Sequence, residues 1–231
     1  MLARLSCSRR RVSSRLSRLG ARSYSSSYSW LESHLIDRSM CRDESLASND
    51  LQVMEDVITC EEETLLANEA SAQLRRRRYE VNHWDQVIIN FKEMETIKWS
   101  SEAQQVLARV RALPIIPQDL EYFPAVHVID LAEEGYIKPH VDSIKFSGQI
   151  VAGLNLLSPA VMRFQEENGE SRIDLKLPRR SFYCMRGGVR YRYTHEILPG
   201  VQTFQGEAIQ RTRRISIMIR DVFVPPATSQ P

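Results

Sequence analysis

The sequence predicts an α+β protein, with a helical first half leading into an antiparallel β-sandwich or barrel. Two observations carry this. Glycine is absent between Gly20 and Gly135, and the remaining eight glycines all lie between Gly135 and Gly206, which concentrates turn-rich structure in the second half. From Ala125 onward, short apolar segments (AVHVIDL, IVAGLNLL, RIDLKL, SFYCM, RYRYTHEI and RRISIMIR) recur between Gly, Pro or polar turns. Several short strands at such spacing close into a sandwich or barrel.

Residues 1–24 hold seven arginines, many serines and no acid, with Leu2, Leu5, Val12, Leu16 and Leu19 scattered among the cations. That is the composition of a mitochondrial transit peptide, with the cut expected after Tyr24 and the matrix as destination. A basic tail that binds nucleic acid is the competing reading. Residues 25–125 are expected to be mainly helical. TCEEETLLANEASAQL opens with Thr59 three residues before Glu62, the spacing of a capping box, and Leu66, Ala70 and Leu74 follow at helical intervals. A helix over about 60–75 follows from this. The run Arg75 to Arg78 then reads as a solvated helix end, or alternatively as a nucleic-acid contact. A second helix is expected after Ser100, with Ala103, Val106, Leu107 and Val110 on one side and an end before Pro114. His83 and Trp84, between the helices, read as packing residues. The catalytic core is expected over 126–222, and 223–231 as a disordered tail.

Bulk properties exclude some functions. No apolar run reaches 18 residues, so no membrane insertion is expected. The formal charge of +2 less the seven leading arginines leaves −5 for the rest, which is not the charge of an avid phosphate binder. Cys7, Cys41, Cys60 and Cys184 form neither a disulfide framework nor a zinc ribbon.

The chemistry gathers around GYIKPHVDSIKF. On a strand, residues two apart share a face, so His140 and Asp142 point the same way. A hydrogen-bonded histidine beside a surface acid is the blander explanation. A third ligand is expected from His195, on a separate strand where Tyr191, Tyr193, His195 and Ile197 form one face. Two histidines and a carboxylate make the facial triad of non-haem Fe(II) oxygenases, which leaves positions for a bidentate cosubstrate and O2. Further on, Ile215, Ile217 and Ile219 alternate with Arg214, Ser216, Met218 and Arg220. Buried arginines need a carboxylate, and guanidinium pairing suits 2-oxoglutarate. The two backbones stand roughly 20 Å apart at strand rise, so the side chains must lean together. The alternative is the polar face of an edge strand.

His140-x-Asp142, His195 and Arg214-x5-Arg220, in this order and spacing, resemble the AlkB family of Fe(II)/2-oxoglutarate dioxygenases. RRRRYE, HWD, AGLNLLSP and THEIL resemble its mitochondrial branch in particular, and the likeness runs over about residues 57–222. The resemblance implies a double-stranded β-helix, or jelly roll, with iron at its mouth. It implies His140, Asp142 and His195 as iron ligands and Arg214 as partner of the distal 2-oxoglutarate carboxylate. It also implies Arg220 as a contact near the iron, and Tyr183 as a hydroxyl donor to the cosubstrate. Where many relatives carry Asn-x-Tyr, this chain has His127-x-Ile129, and His127 is either a 2-oxoglutarate contact or a core histidine. The reaction implied is oxidative decarboxylation of 2-oxoglutarate by O2, coupled to oxidation of a C–H bond. Residues 79–125 contain no glycine and no hairpin dipeptide, so a full nucleotide lid is not expected. A protein side chain is therefore the expected substrate, in a setting of fatty-acid metabolism and programmed necrosis after alkylation damage. Demethylation of mitochondrial RNA and a non-catalytic jelly-roll scaffold are the alternatives. The residues leave the oligomeric state open.

Overall fold

Thr59 and Ser100 start the two long helices. The structure, a computed structural model, describes residues 33–225, so the transit peptide expected over 1–24 and most of the expected tail lie outside the described residues. Helix α1 spans Cys60–Leu74. The Thr59 hydroxyl accepts from Glu62 N at 3.2 Å, and the Glu62 carboxylate accepts from Thr59 N at 2.8 Å, completing the box. Helix α2 spans Ser101–Arg111, with Ser100 Oγ accepting from Ala103 N at 3.2 Å. Both bury the faces their periodicity marks, and Arg75 to Arg78 are exposed, as a solvated helix end requires. Among the described residues no helix is long and apolar enough to cross a membrane.

The strands are β1 (Ile36–Asp37), β2 (Leu51–Met54), β3 (Glu80–Asn82), β4 (Ile88–Thr96), β5 (Val126–His140), β6 (Val151–Leu156) and β7 (Ala160–Glu166). They continue with β8 (Arg172–Leu177), β9 (Phe182–Met185), β10 (Tyr193–Ile197), β11 (Val201–Phe204), β12 (Glu207–Gln210) and β13 (Arg214–Arg220). All pairings are antiparallel, in the order β1-β8-β7-β10-β5-β13-β6-β9-β2, with β4 beside β5 and β3 beside β4. The long β5 belongs to both layers. Its first half lies between β4 and β13, and its end pairs with β10. The sheet thus curls over itself as a jelly roll. One core, with Phe91, Leu131, Phe164, Leu175 and Tyr183, fills the space between the layers. A second joins α1 and α2 to the outer face through Val128, Leu154, Ile215, Ile217 and Ile219. Each fully buried Leu or Ile contributes roughly 1.5–3 kcal/mol, so the helices are held mainly by this face.

Three sequence expectations are corrected. Residues 25–125 are not simply helical, because β1 to β4 also lie there and β4 runs along β5. The segment RYRYTHEI is a strand only from Tyr193. Gly187–Arg192 forms a short helix, α3, so Arg190 is buried rather than placed on an outer strand face. Residues 79–125 do form a hairpin, β3–β4, whose turn is closed by Gln86 in the left-handed region at φ 62.

Candidate active site

The two histidines meet because their strands do. His140 ends β5 directly opposite His195 of β10, and their ring centroids are 4.2 Å apart. Asp142 lies beyond the strand, so it joins them through its loop and not by strand alternation. His140 Nε2 lies 3.4 Å from Asp142 Oδ1, and His195 Nε2 lies 3.6 Å from Asp142 Oδ2. One donor atom from each residue falls within 4.8 Å of the others, which suits three ligands of one ion. The Lys138 carbonyl accepts from His140 Nδ1 at 2.9 Å, leaving the Nε2 lone pair for a metal. Asp142 Oδ2 is buried without a hydrogen-bond partner, so the site is short of a cation. The donor set therefore fits Fe(II).

Electrostatics supports the same reading. Burial, joined by the nearby His140, pushes His195 down to about 3, so its ring is neutral and ready to ligate. Burial works to raise Asp142, but the two histidines outweigh it and hold its carboxyl well below the usual range. Burial also works to lower His140, whereas its bond and attraction to Asp142 leave it raised.

The triad opens into a cavity of about 630 Å³ that Tyr183, His127, Arg214, Ser216, Met218 and Arg220 also line. The alternation expected for β13 holds: its isoleucines pack toward the helices and its arginines face the cavity. Arg214 is 2 % exposed, and burial brings its guanidinium down to about 10. Its side-chain partner is a neutral amide, Asn155 Oδ1, which accepts from Nε at 2.5 Å. A buried cation that lines a cavity and is bonded through Nε to a neutral amide calls for an anionic ligand. Tyr183 is buried in β9 beside Gly153, where an added Cβ would come within 2.7 Å of its ring. Arg220 reaches the cavity from the far end of β13 and donates to Glu95.

His127 is on the cavity wall, not in a core cluster, and its Nε2 lies 2.9 Å from Glu93 Oε2. Trp84 is not a packing residue, whereas His83 packs edge-on against the core ring of Phe91, centroids 5.6 Å apart, as expected. His83 bonds Asp85 at 2.7 Å and pairs with Glu93 at 3.2 Å, while Trp84 stands 85 % exposed at the cavity mouth near Phe146, itself 65 % exposed. The hairpin turn lifts Trp84 out of the core. Sequence reasoning missed Asn155, Glu93 and Arg190. AGLNLLSP was a signal for Asn155, but its partner is chosen by the pairing of β6 with β13.

A jelly roll with this triad and a ligand-seeking arginine at its mouth defines a 2-oxoglutarate- and iron-dependent oxygenase. Residues 131–220 match the 2OG-Fe(II) oxygenase superfamily. Two relatives, each named alpha-ketoglutarate-dependent dioxygenase alkB homolog 7, mitochondrial, come from Mus musculus and Bos taurus. They are 48% identical over 164 and 167 residues, covering 70% and 71% of this chain and 74% of each relative. The chain belongs to the AlkB family of Fe(II)/2-oxoglutarate dioxygenases and uses Fe(II), 2-oxoglutarate and O2. The solved structure of OsALKBH1 matches with a TM-score of 0.50 at 12% identity, over 74% of this chain and 97% of that one. A Trichoplax adhaerens prolyl hydroxylase, in complex with a hypoxia inducible factor peptide fragment, matches with 0.52 at 14%, over 75% and 84%. At such identities these two speak for the fold alone.

Proposed function

We propose that this enzyme hydroxylates a protein side chain in the mitochondrial matrix, with His140, Asp142 and His195 holding the iron. Arg214 pairs with the distal carboxylate of 2-oxoglutarate, and Asn155 keeps its guanidinium in place. Tyr183 donates its hydroxyl to the same acid. His127 and Arg220, braced by Glu93 and Glu95, face its iron end. Bound iron supplies the oxidation: 2-oxoglutarate, O2 and a C–H bond give succinate, CO2 and an alcohol. The protein's share is to bind and orient the acid beside a triad whose His195 is buried and whose His140 and Asp142 are half-buried.

One observation carries the choice of substrate: among the described residues, nothing covers Trp84 and Phe146 at the mouth. A flipped base is held by stacking within a closed pocket, whereas an open rim admits a side chain still attached to a folded surface. The negative balance left after the leading arginines agrees with this. The mitochondrial names of the two relatives support the compartment, and the family likeness extends the setting to fatty-acid metabolism and programmed necrosis. RNA demethylation is favoured by a different observation, Arg77 at the cavity wall within an exposed run of four arginines.

The two readings separate when the Fe(II)-loaded chain is given mitochondrial matrix protein or mitochondrial RNA and succinate is measured above the substrate-free background. Protein should stimulate succinate release and acquire one oxygen by mass. Stimulation by RNA alone, weakened by salt and by neutralising Arg75 to Arg78, would put the RNA reading in its place.

A further inference from the structure

Arg190 is 1 % exposed; its two terminal nitrogens donate to backbone carbonyls, while Nε is buried without a hydrogen-bond partner. Nη1 donates to the Asp142 carbonyl at 2.9 Å and Nη2 to the Ser147 carbonyl at 2.7 Å. These two carbonyls bracket a segment of which residues 143–146 are exposed and which has no strand or helix of its own. The far end of this loop is fixed separately, because the Asp221 carboxylate accepts from Gln149 N at 2.8 Å and Ile150 N at 2.9 Å. Tyr191 adds a third tie, its hydroxyl donating to Gly148 O at 3.3 Å. The Asp142 backbone is thus held from outside its own chain neighbourhood by a side chain on α3. Helix α3 runs without a break into β10, which carries His195.

Burying a guanidinium costs several kcal/mol, and an apolar side chain of the same volume would fill the space under the loop more cheaply. What an apolar side chain cannot do is grip two carbonyls in a fixed fork. We propose that Arg190 is a positioning residue for the metal site, setting the Asp142 carboxylate against His195 by tying the loop of one to the helix that leads to the other. It touches neither metal nor substrate. Its effect is to hold two ligands from distant parts of the chain at one spacing, so its loss should loosen the metal while sparing the β-sandwich. The inference rests on His140, Asp142 and His195 being the ligands.

The test is calorimetric titration of Mn(II) into the full chain, with thermal unfolding of each metal-free variant in parallel. Wild type and His195→Ala come first: if wild type binds no Mn(II), or His195→Ala binds it equally well, the ligand assignment itself is wrong. Given a His195-dependent site, Arg190→Met should weaken Mn(II) at least tenfold, in the range typical of lost outer partners. Arg190→Lys, which keeps the charge but grips one carbonyl, should fall between. Tyr191→Phe, which removes only the Gly148 tie, should bind like wild type. With Co(II), the visible spectrum of Arg190→Met should change, a readout that a merely structural role would not move. Wild-type affinity and spectrum in folded Arg190→Met would overturn the proposal. Should that variant not fold, wild-type affinity in Arg190→Lys would do the same.

Discussion

Asp142 meets His195 only because a loop brings it back, and its second carboxylate oxygen is left without a hydrogen bond. The spacing of His140 and Asp142 was legible in the sequence, although for a partly wrong reason: alternation along a strand was expected, and the strand stops at His140. The arginines of β13 were legible by alternation alone. Asn155 and Arg190 were not, because their roles depend on which carbonyls and guanidinium the fold places beside them. Asn155 Nδ2 donates to the Ser158, Leu177 and Pro178 carbonyls at 2.9, 3.1 and 2.8 Å, so its Oδ1 can turn only toward Arg214. Asn155→Ala should therefore weaken 2-oxoglutarate by roughly 10- to 150-fold, given roughly 1.5–3 kcal/mol for a bond to a charged group, with Mn(II) affinity unchanged. Equal 2-oxoglutarate affinity in separate calorimetric titrations would argue against this role.

The triad also predicts a pH dependence. His140 is raised in the folded metal-free chain, so its proton stabilises the fold below the ordinary imidazole range, and that contribution is lost as pH rises through the elevated value. Metal must displace that proton. Mn(II) affinity should fall as pH is lowered from 8 to 6, while His195, held down to about 3, stays neutral throughout. A Mn(II) dissociation constant that does not change over this range would contradict the assignment of His140.

At the scale of elements, α1 and α2 were readable because caps and periodicity agree, and packing only confirmed them. Strand β4 was not readable. Asn90 sits at a register shift with φ 51, which breaks the period, and Glu93 faces the cavity where a core residue would be expected. Helix α3 was hidden by Gly187-Gly188, which read as a turn, and by an accidental alternation in RYRY. The same irregularity in β4 explains Gly135: an added Cβ would come within 2.5 Å of Asn90 O and 2.7 Å of Ile89 O, both backbone atoms that cannot swing aside. Gly135→Ala should destabilise the chain by about 1–3 kcal/mol, read from the urea midpoint. A midpoint equal to wild type would mean that β4 does not press on β5 there.

At the scale of the whole molecule, sequence reasoning reached a sandwich or barrel, and family likeness narrowed it to a jelly roll. The missing step was how β5 could serve both layers, since its pairings with β4, β10 and β13 join residues far apart in the chain. That shared strand explains why the site exists where it does: it delivers His127 to one wall of the cavity and His140 to the metal end, facing the arginines of β13. The central claim is that the three donors hold an iron to which 2-oxoglutarate binds as a bidentate keto acid. It is tested most directly by adding 2-oxoglutarate anaerobically to the Fe(II)-loaded full chain and recording the visible metal-to-ligand charge-transfer band. The band should appear in wild type and be lost in folded His195→Ala. A folded wild-type protein that gives no band, or an unchanged band in His195→Ala, would contradict the account.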